Sequence, residues 1–126
     1  MSTSPIAAVM VHVASVPEAL VWYERAFPSA VRERLLEPEF EFLNVGHVRI
    51  ELVPSDAKVS SGAAGTVVYW QVAQFKTALA HFLSVGATLY RGPMQIEGGL
   101  AMCQVQDPWG NCIGLRGPAH SSPSLL

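Results

Sequence analysis

The feature that most constrains this chain is that it repeats itself. Val9, Val11 and Val13 return 59 positions later as Val68, Trp70 and Val72. The register then continues without a gap: Val16 falls on Phe75, Ala19 on Ala78, Leu20 on Leu79 and Tyr23 on Phe82. Further on, Ile50-Glu51-Leu52 falls on Ile113-Gly114-Leu115 at an offset of 63, four more than before. The extra residues are expected between positions 91 and 99, around Gly92-Pro93 and Gly98-Gly99, and the loop 92–99 is expected to be a mobile lid. A unit of this length cannot bury its own sheet face, so a duplicated unit predicts two halves packed around a shared core or cavity.

Each unit reads as strand, helix and further strands. Residues 8–13 alternate Ala8, Met10 and His12 with three valines, a period of two whose β-branched face is the core face. Ser15-Val16-Pro17-Glu18 has the form of a capping box, with Pro tolerated in the first helical turn. Ala19, Leu20, Tyr23 and Phe27 make one apolar stripe along the helix, which Pro28 ends. A hairpin follows, from Phe40-Glu41-Phe42-Leu43 through a turn at residues 44–47 to a strand over residues 48–53. Residues 54–65, rich in Ser, Gly and Ala, read as a linker.

The second helix ends at Val85-Gly86, a common glycine terminus. The second unit closes on Asp107-Pro108-Trp109-Gly110-Asn111, where Asp can bond the backbone ahead of it and Pro fixes φ. Val105 on one side of this turn and Ile113 and Leu115 on the other make it the reversal of a hairpin.

Composition narrows the partners. With 126 residues, a formal charge of -2 and no run of Lys or Arg, the chain has no electrostatic footprint for nucleic acid or an acidic membrane. The first residues have no basic stretch, and the apolar run after them stops at His12, so a cytoplasmic location is expected. Cys103 and Cys112 lie on partner strands of one hairpin and are expected to be reduced thiols.

The chain resembles the glyoxalase/bleomycin resistance protein/extradiol dioxygenase superfamily, also called vicinal oxygen chelate proteins. The resemblance rests on the paired units, Val21-Trp22-Tyr23, Val85-Gly86-Ala87, Arg91-Gly92-Pro93 and Asp107-Pro108-Trp109-Gly110-Asn111, and it spans roughly residues 6 to 117. It implies an α+β fold of two βαβββ modules, residues 6–54 and 65–117, whose curled mixed sheet surrounds a cup. Residues 1–117 would form a single domain and 118–126 a disordered tail. Homodimers are usual in such proteins.

Enzymes of the superfamily hold a divalent cation with His or Glu from four strand positions, and the cation acts as a Lewis acid on neighbouring substrate oxygens. The corresponding positions here are Ala8, Glu51, Val67 and Gly114. One carboxylate does not make a transition-metal site, which needs two or three protein ligands. His12 shares a strand face with Ala8 but lies about 13 Å along the strand; a relocated site built on His12 and Glu51, with or without His47, stays open as an alternative. No metal or other cofactor is therefore expected.

The ligand-binding candidates are Met10, His12, Arg49, Glu51, Tyr69, Gln71, Met102 and Gln104, all on the inferred cup face. Methionine adapts its shape and tyrosine offers a flat body with one polar tip, which suits a small organic ligand. Glu51 is the one catalytic candidate, as a base, set against an ion pair with Arg49 two residues away. The resulting expectation is metal-free binding of a small organic molecule, as in the bleomycin resistance branch. The alternatives are a metal-dependent or Glu51-dependent lyase, isomerase or dioxygenase, and an interaction module with a filled cup.

Overall fold

A computed structural model describes residues 6–36 and 39–120. Contacts divide the chain into two compact units, residues 1–61 and 62–126. Each unit holds one βαβββ module, so the internal repeat is real.

The first module contains strand β1 (Val9–Val13), helix α1 (Val16–Ala26), and strands β2 (Val31–Leu36), β3 (Glu39–Val45) and β4 (Val48–Pro54). Its sheet has the order β1-β4-β3-β2, with β1 parallel to β4 and the other pairs antiparallel. Ser15 caps α1: its Oγ accepts a 3.4 Å hydrogen bond from the Glu18 amide, so one end-of-helix donor is satisfied. The apolar stripe of α1 buries Ala19, Leu20 and Tyr23 over one face of the sheet, where Leu43, Ile50 and Leu52 are nearly inaccessible to solvent. Burying each of these large aliphatic side chains stabilises the module by about 1.5–3 kcal/mol. Trp22 meets Tyr23 edge-on at 5.0 Å, and Tyr23 stacks on Phe27 at 5.9 Å, which ties the end of the helix to the core.

Strand β2 was not among the elements read from the residues alone. In Val31-Arg32-Glu33-Arg34-Leu35-Leu36 charge interrupts the apolar pattern, because the strand lies at the sheet edge, where both faces can carry polar residues. One of those charges has a structural task. Arg32 reaches back to α1, where its Nη2 donates to Glu24 at 2.6 Å, and its Nη1 lies 3.6 Å from Glu41. Hydrogen bonding to Glu24 is the main reason its pKa is raised.

The second module contains strand β5 (Tyr69–Gln71), helix α2 (Phe75–Ser84), and strands β6 (Thr88–Gln95), β7 (Leu100–Gln106) and β8 (Cys112–Pro118). Its order, β5-β8-β7-β6, repeats that of the first sheet, again with the first and last strands parallel. Phe75 and Phe82 of α2 cover Ala101, Cys103, Val105, Ile113 and Leu115, so the small, apolar side of β7 is the helix side, as its alternation implies. The helix ends where expected, with the Gly86 amide donating to the Leu83 carbonyl at 3.1 Å and the Ala87 amide to Phe82 at 3.0 Å.

Two expectations about this module need correction. Residues 92–95 form no lid; they continue β6, paired with β7 through Met94↔Met102 and Gln95↔Ala101. The pairing shifts between Leu89 and Arg91 and again between Arg91 and Met94, so part of the extra length is absorbed as irregularities within a strand. Glycine and proline, which signal a loop in sequence, here mark a bent edge strand.

The expected tail also begins too early. Pro118 ends β8 opposite Leu100, and Ala119 is buried with its amide donating to the Gly99 carbonyl at 3.0 Å. Residues 121–126 lie outside the described residues.

The turn between β7 and β8 is built around Asp107, a buried acid only 4% exposed. Its Oδ1 accepts from the Trp109 and Asn111 amides, both at 2.8 Å, and its Oδ2 accepts from Asn111 Nδ2 at 3.1 Å. The Asn111 side chain in turn accepts from the Gly62 amide at 2.9 Å, fastening the start of the second unit to this turn. Among the described residues, no helix is long and apolar enough to cross a membrane.

Candidate functional site

The face of each sheet opposite its helix carries the residues singled out above. In the first module, Met10 of β1 lies beside Glu51 of β4, and His12 beside Val53. Arg49 follows on the same face of β4, next to Asn44 of β3. The Arg49 Nη1 lies 3.4 Å from Glu51 Oε2, and the guanidinium sits 3.8 Å above the centre of the Phe42 ring. Asn44 Nδ2 donates to Glu33 Oε2 across the β2–β3 pair. Glu51 and Arg49 therefore neutralise each other on top of an aromatic side chain. Met10 is 55% exposed. His12 lies near the end of β1; Asp56, which follows that sheet, has its pKa lowered chiefly by the hydrogen bonds it accepts from the Val59 and Lys58 amides.

In the second module the equivalent of the Met10–Glu51 pair is Tyr69 beside Gly114. The Tyr69 ring lies over the glycine: a Cβ at position 114 would come within 2.5 Å of ring carbon Cδ2. Gln104 Nε2 donates to the Tyr69 hydroxyl at 2.9 Å and fixes the ring there. The phenol's own proton remains available to a further acceptor. Arg116, two residues beyond Gly114 on the same face, holds its guanidinium 5.2 Å from the centre of that ring. Met102 is the neighbour of Arg116 on β7.

These residues edge a cavity of about 450 Å³ lined by Tyr69, Gln71, Leu100, Arg116, Gly117 and Pro118. The first module has a cavity of similar volume, about 460 Å³, but on its helix side, between α1 and the edge of the sheet. Arg32 lines it together with Glu39 and Glu41.

Of the expected ligand residues, Tyr69, Gln71 and Gln104 come together in the second module, with Met102 nearby. Met10, Arg49 and Glu51 gather in the first, with His12 further along β1. Sequence reasoning passed over Arg116 and Leu100. The signal for Arg116 was present: counted from Gly114 by alternation, it is the next residue on the face opposite the helix, and at the offset of 63 it replaces uncharged Val53.

Taken one by one, three of the four positions that the resemblance assigns to metal ligands carry no donor side chain. Ala8, Val67 and Gly114 offer no donor atoms, Glu51 is paired with Arg49, and the space above Gly114 holds an aromatic ring. Among the described residues, no three His, Cys, Asp or Glu side chains gather closely enough to hold a metal. Of the residues considered for a relocated site, His12 and Glu51 lie on the neighbouring strands β1 and β4, and His47 stands in the exposed turn before β4.

The two cysteines point to opposite faces of their hairpin. Cys103 pairs with Leu115 on the helix side, whereas Cys112 pairs with Gln106 on the other. Both are free thiols. Burial pushes the Cys103 pKa up to about 11, and burial also raises that of Cys112, partly opposed by a hydrogen bond with Gln106.

Comparison with solved structures places the chain in a fold class. An integron cassette protein from Vibrio cholerae aligns with a TM-score of 0.74 at 21% identity, over 93% of this chain and 97% of that one. A glyoxalase/bleomycin resistance protein/dioxygenase superfamily member from Sphaerobacter thermophilus aligns with a TM-score of 0.70 at 13% identity, over 91% and 98%. The genomically encoded fosfomycin resistance protein FosX from Listeria monocytogenes gives 0.73 at 10% identity, over 98% of each. The protein thus has the glyoxalase-like fold of the vicinal oxygen chelate superfamily, an α+β architecture of two βαβββ modules. No family model and no curated protein matches the sequence.

Proposed function

We propose that this protein binds a small organic molecule on the ligand-side face of its second module, without a metal. The observation that carries this reading is the Tyr69–Gly114 contact. At the place where a metal-dependent relative would project a ligand from the last strand, this chain has no side chain and lays an aromatic ring across the gap. The exchange replaces a coordinating group with a flat, half-buried surface bearing one hydroxyl, suited to stacking and hydrogen bonding. A cavity of about 450 Å³ beside it has the size of a small-molecule site. The neighbours include a protein named for fosfomycin resistance, and a role in taking up a small toxic molecule is in keeping with that.

The working form we propose is a homodimer. Leu89, Tyr90 and Met94 on edge strand β6 and Val31, Leu35 and Leu36 on edge strand β2 are exposed apolar side chains of the kind that a second copy would cover. Sedimentation equilibrium at micromolar concentration should give twice the mass of the chain; a monomer throughout would refute the dimer.

The binding itself is tested by a fragment screen read by amide chemical shifts. The expected result is that hits perturb Tyr69, Gln71 and Gln104 together. If no compound perturbs them at millimolar concentration, the reading is wrong.

A further inference from the structure

The two modules treat a cavity arginine in opposite ways. Arg32 in the first is held by Glu24 at 2.6 Å and approached by Glu41 at 3.6 Å, so its charge is spent inside the protein. Arg116 lines a cavity of nearly equal volume with no carboxylate in its lining, and among the described residues no acid lies within ion-pair distance of it. The Tyr69 ring lies 5.2 Å from it and orients the guanidinium without neutralising it. An arginine presents a planar fork of donors matched to a carboxylate or similar anion.

From this we infer that the ligand is a small organic anion, its charged end on Arg116 and its flat apolar body against Tyr69, Leu100 and Pro118. This rests on the small-molecule reading above and adds the ligand's chemical class. The surrounding groups agree with it. Gln71 stands beside Arg116 in the β5–β8 register and offers an amide to the same end of the ligand. The Tyr69 hydroxyl, already accepting from Gln104, has its proton left to donate to an anionic oxygen. The lining therefore sets one positive charge and hydrogen-bond donors beside the apolar surface of Leu100 and Pro118.

Benzoate and benzamide, nearly equal in shape and differing in charge, separate the two layers of this proposal. Each is titrated into the full chain and followed by amide chemical shifts, in the wild type, Arg116→Gln and Arg116→Lys. We expect benzoate to perturb Tyr69, Gln71 and position 116 with an affinity at least tenfold above that of benzamide. Arg116→Gln should abolish the difference, and Arg116→Lys, which keeps the charge and loses the fork, should retain part of it. Arg116 is exposed, so both variants should give the wild-type spectrum elsewhere, which also verifies folding. Equal binding of the two compounds, unchanged in Arg116→Gln, would overturn the anion assignment and leave the small-molecule site standing. Failure of both compounds to perturb the cavity at their solubility limit would overturn the two together.

Discussion

The two modules share a topology and a register, yet at equivalent places they hold opposite chemistry. Beside the first strand of module one stands Glu51, its charge met by Arg49; at the matching place in module two stands Gly114 beneath the Tyr69 ring. The first module pairs Arg49 with Glu51 and Arg32 with Glu24. The second leaves an arginine facing a cavity. The apolar residues that set strand and helix recur at both offsets, whereas the side chains on the opposite face do not. A repeat therefore reports the scaffold and says little about what it presents.

The strongest test of this contrast is at the turns. The first module joins β3 to β4 by a tight turn at Gly46-His47, while the second depends on a buried acid whose carboxylate accepts from the Trp109 and Asn111 amides and the Asn111 side chain. Asp107→Ala strands the Trp109 and Asn111 amides, and a loss of about 3 kcal/mol or more is expected in urea denaturation. A loss below about 1 kcal/mol would show that the turn forms without its aspartate.

Next in size is Gly114→Ala, whose Cβ would meet the Tyr69 ring at 2.5 Å. Crowding of this kind costs about 1–3 kcal/mol. Adding Tyr69→Ala should make the double variant more stable than the sum of the two single losses predicts. Simple additivity would mean that ring and glycine are not in contact in solution.

A smaller effect comes from Cys103, whose folded pKa lies near 11 against an ordinary thiol value of 9.0. Because burial favours the neutral thiol, its contribution is full below the unfolded pKa near 9 and is lost as pH rises through the folded value. Between pH 9 and pH 10 the wild type should lose about 1 kcal/mol more than Cys103→Ala. Parallel pH profiles would contradict this.

The smallest belongs to the first module. Glu51→Gln breaks a partly exposed ion pair and should cost less than about 1 kcal/mol. It should also leave benzoate binding in the second module unchanged. A tenfold loss of that affinity would make Glu51 part of the site.

Most of the scaffold was legible in the sequence. Helix α1 declared itself through Ser15 and its apolar stripe, α2 through Gly86, and the last hairpin through Asp107 and Gly110. Strand β2 was not legible because an edge strand need not alternate cleanly, and its Arg32 serves a helix rather than a sheet face. The course of β6 was hidden because Gly92-Pro93 has the composition of a loop. The candidate site was legible in part. Alternation placed Tyr69, Gln71 and Gln104 on one face, but the ring resting on Gly114 is a rotamer choice that spacing does not encode. Arg116 was overlooked because it stands in the position of a valine in the other module.

The metal-free binding proposed above rests on the aromatic ring that lies over Gly114, where the resemblance puts a metal ligand. It is tested most directly by melting the purified protein with excess zinc, manganese or nickel, with and without chelator. A ligand that binds the folded state alone must raise its stability, so the account predicts melting temperatures that do not move with the cation. A rise of several degrees that chelator reverses, and that Glu51→Gln removes, would contradict it.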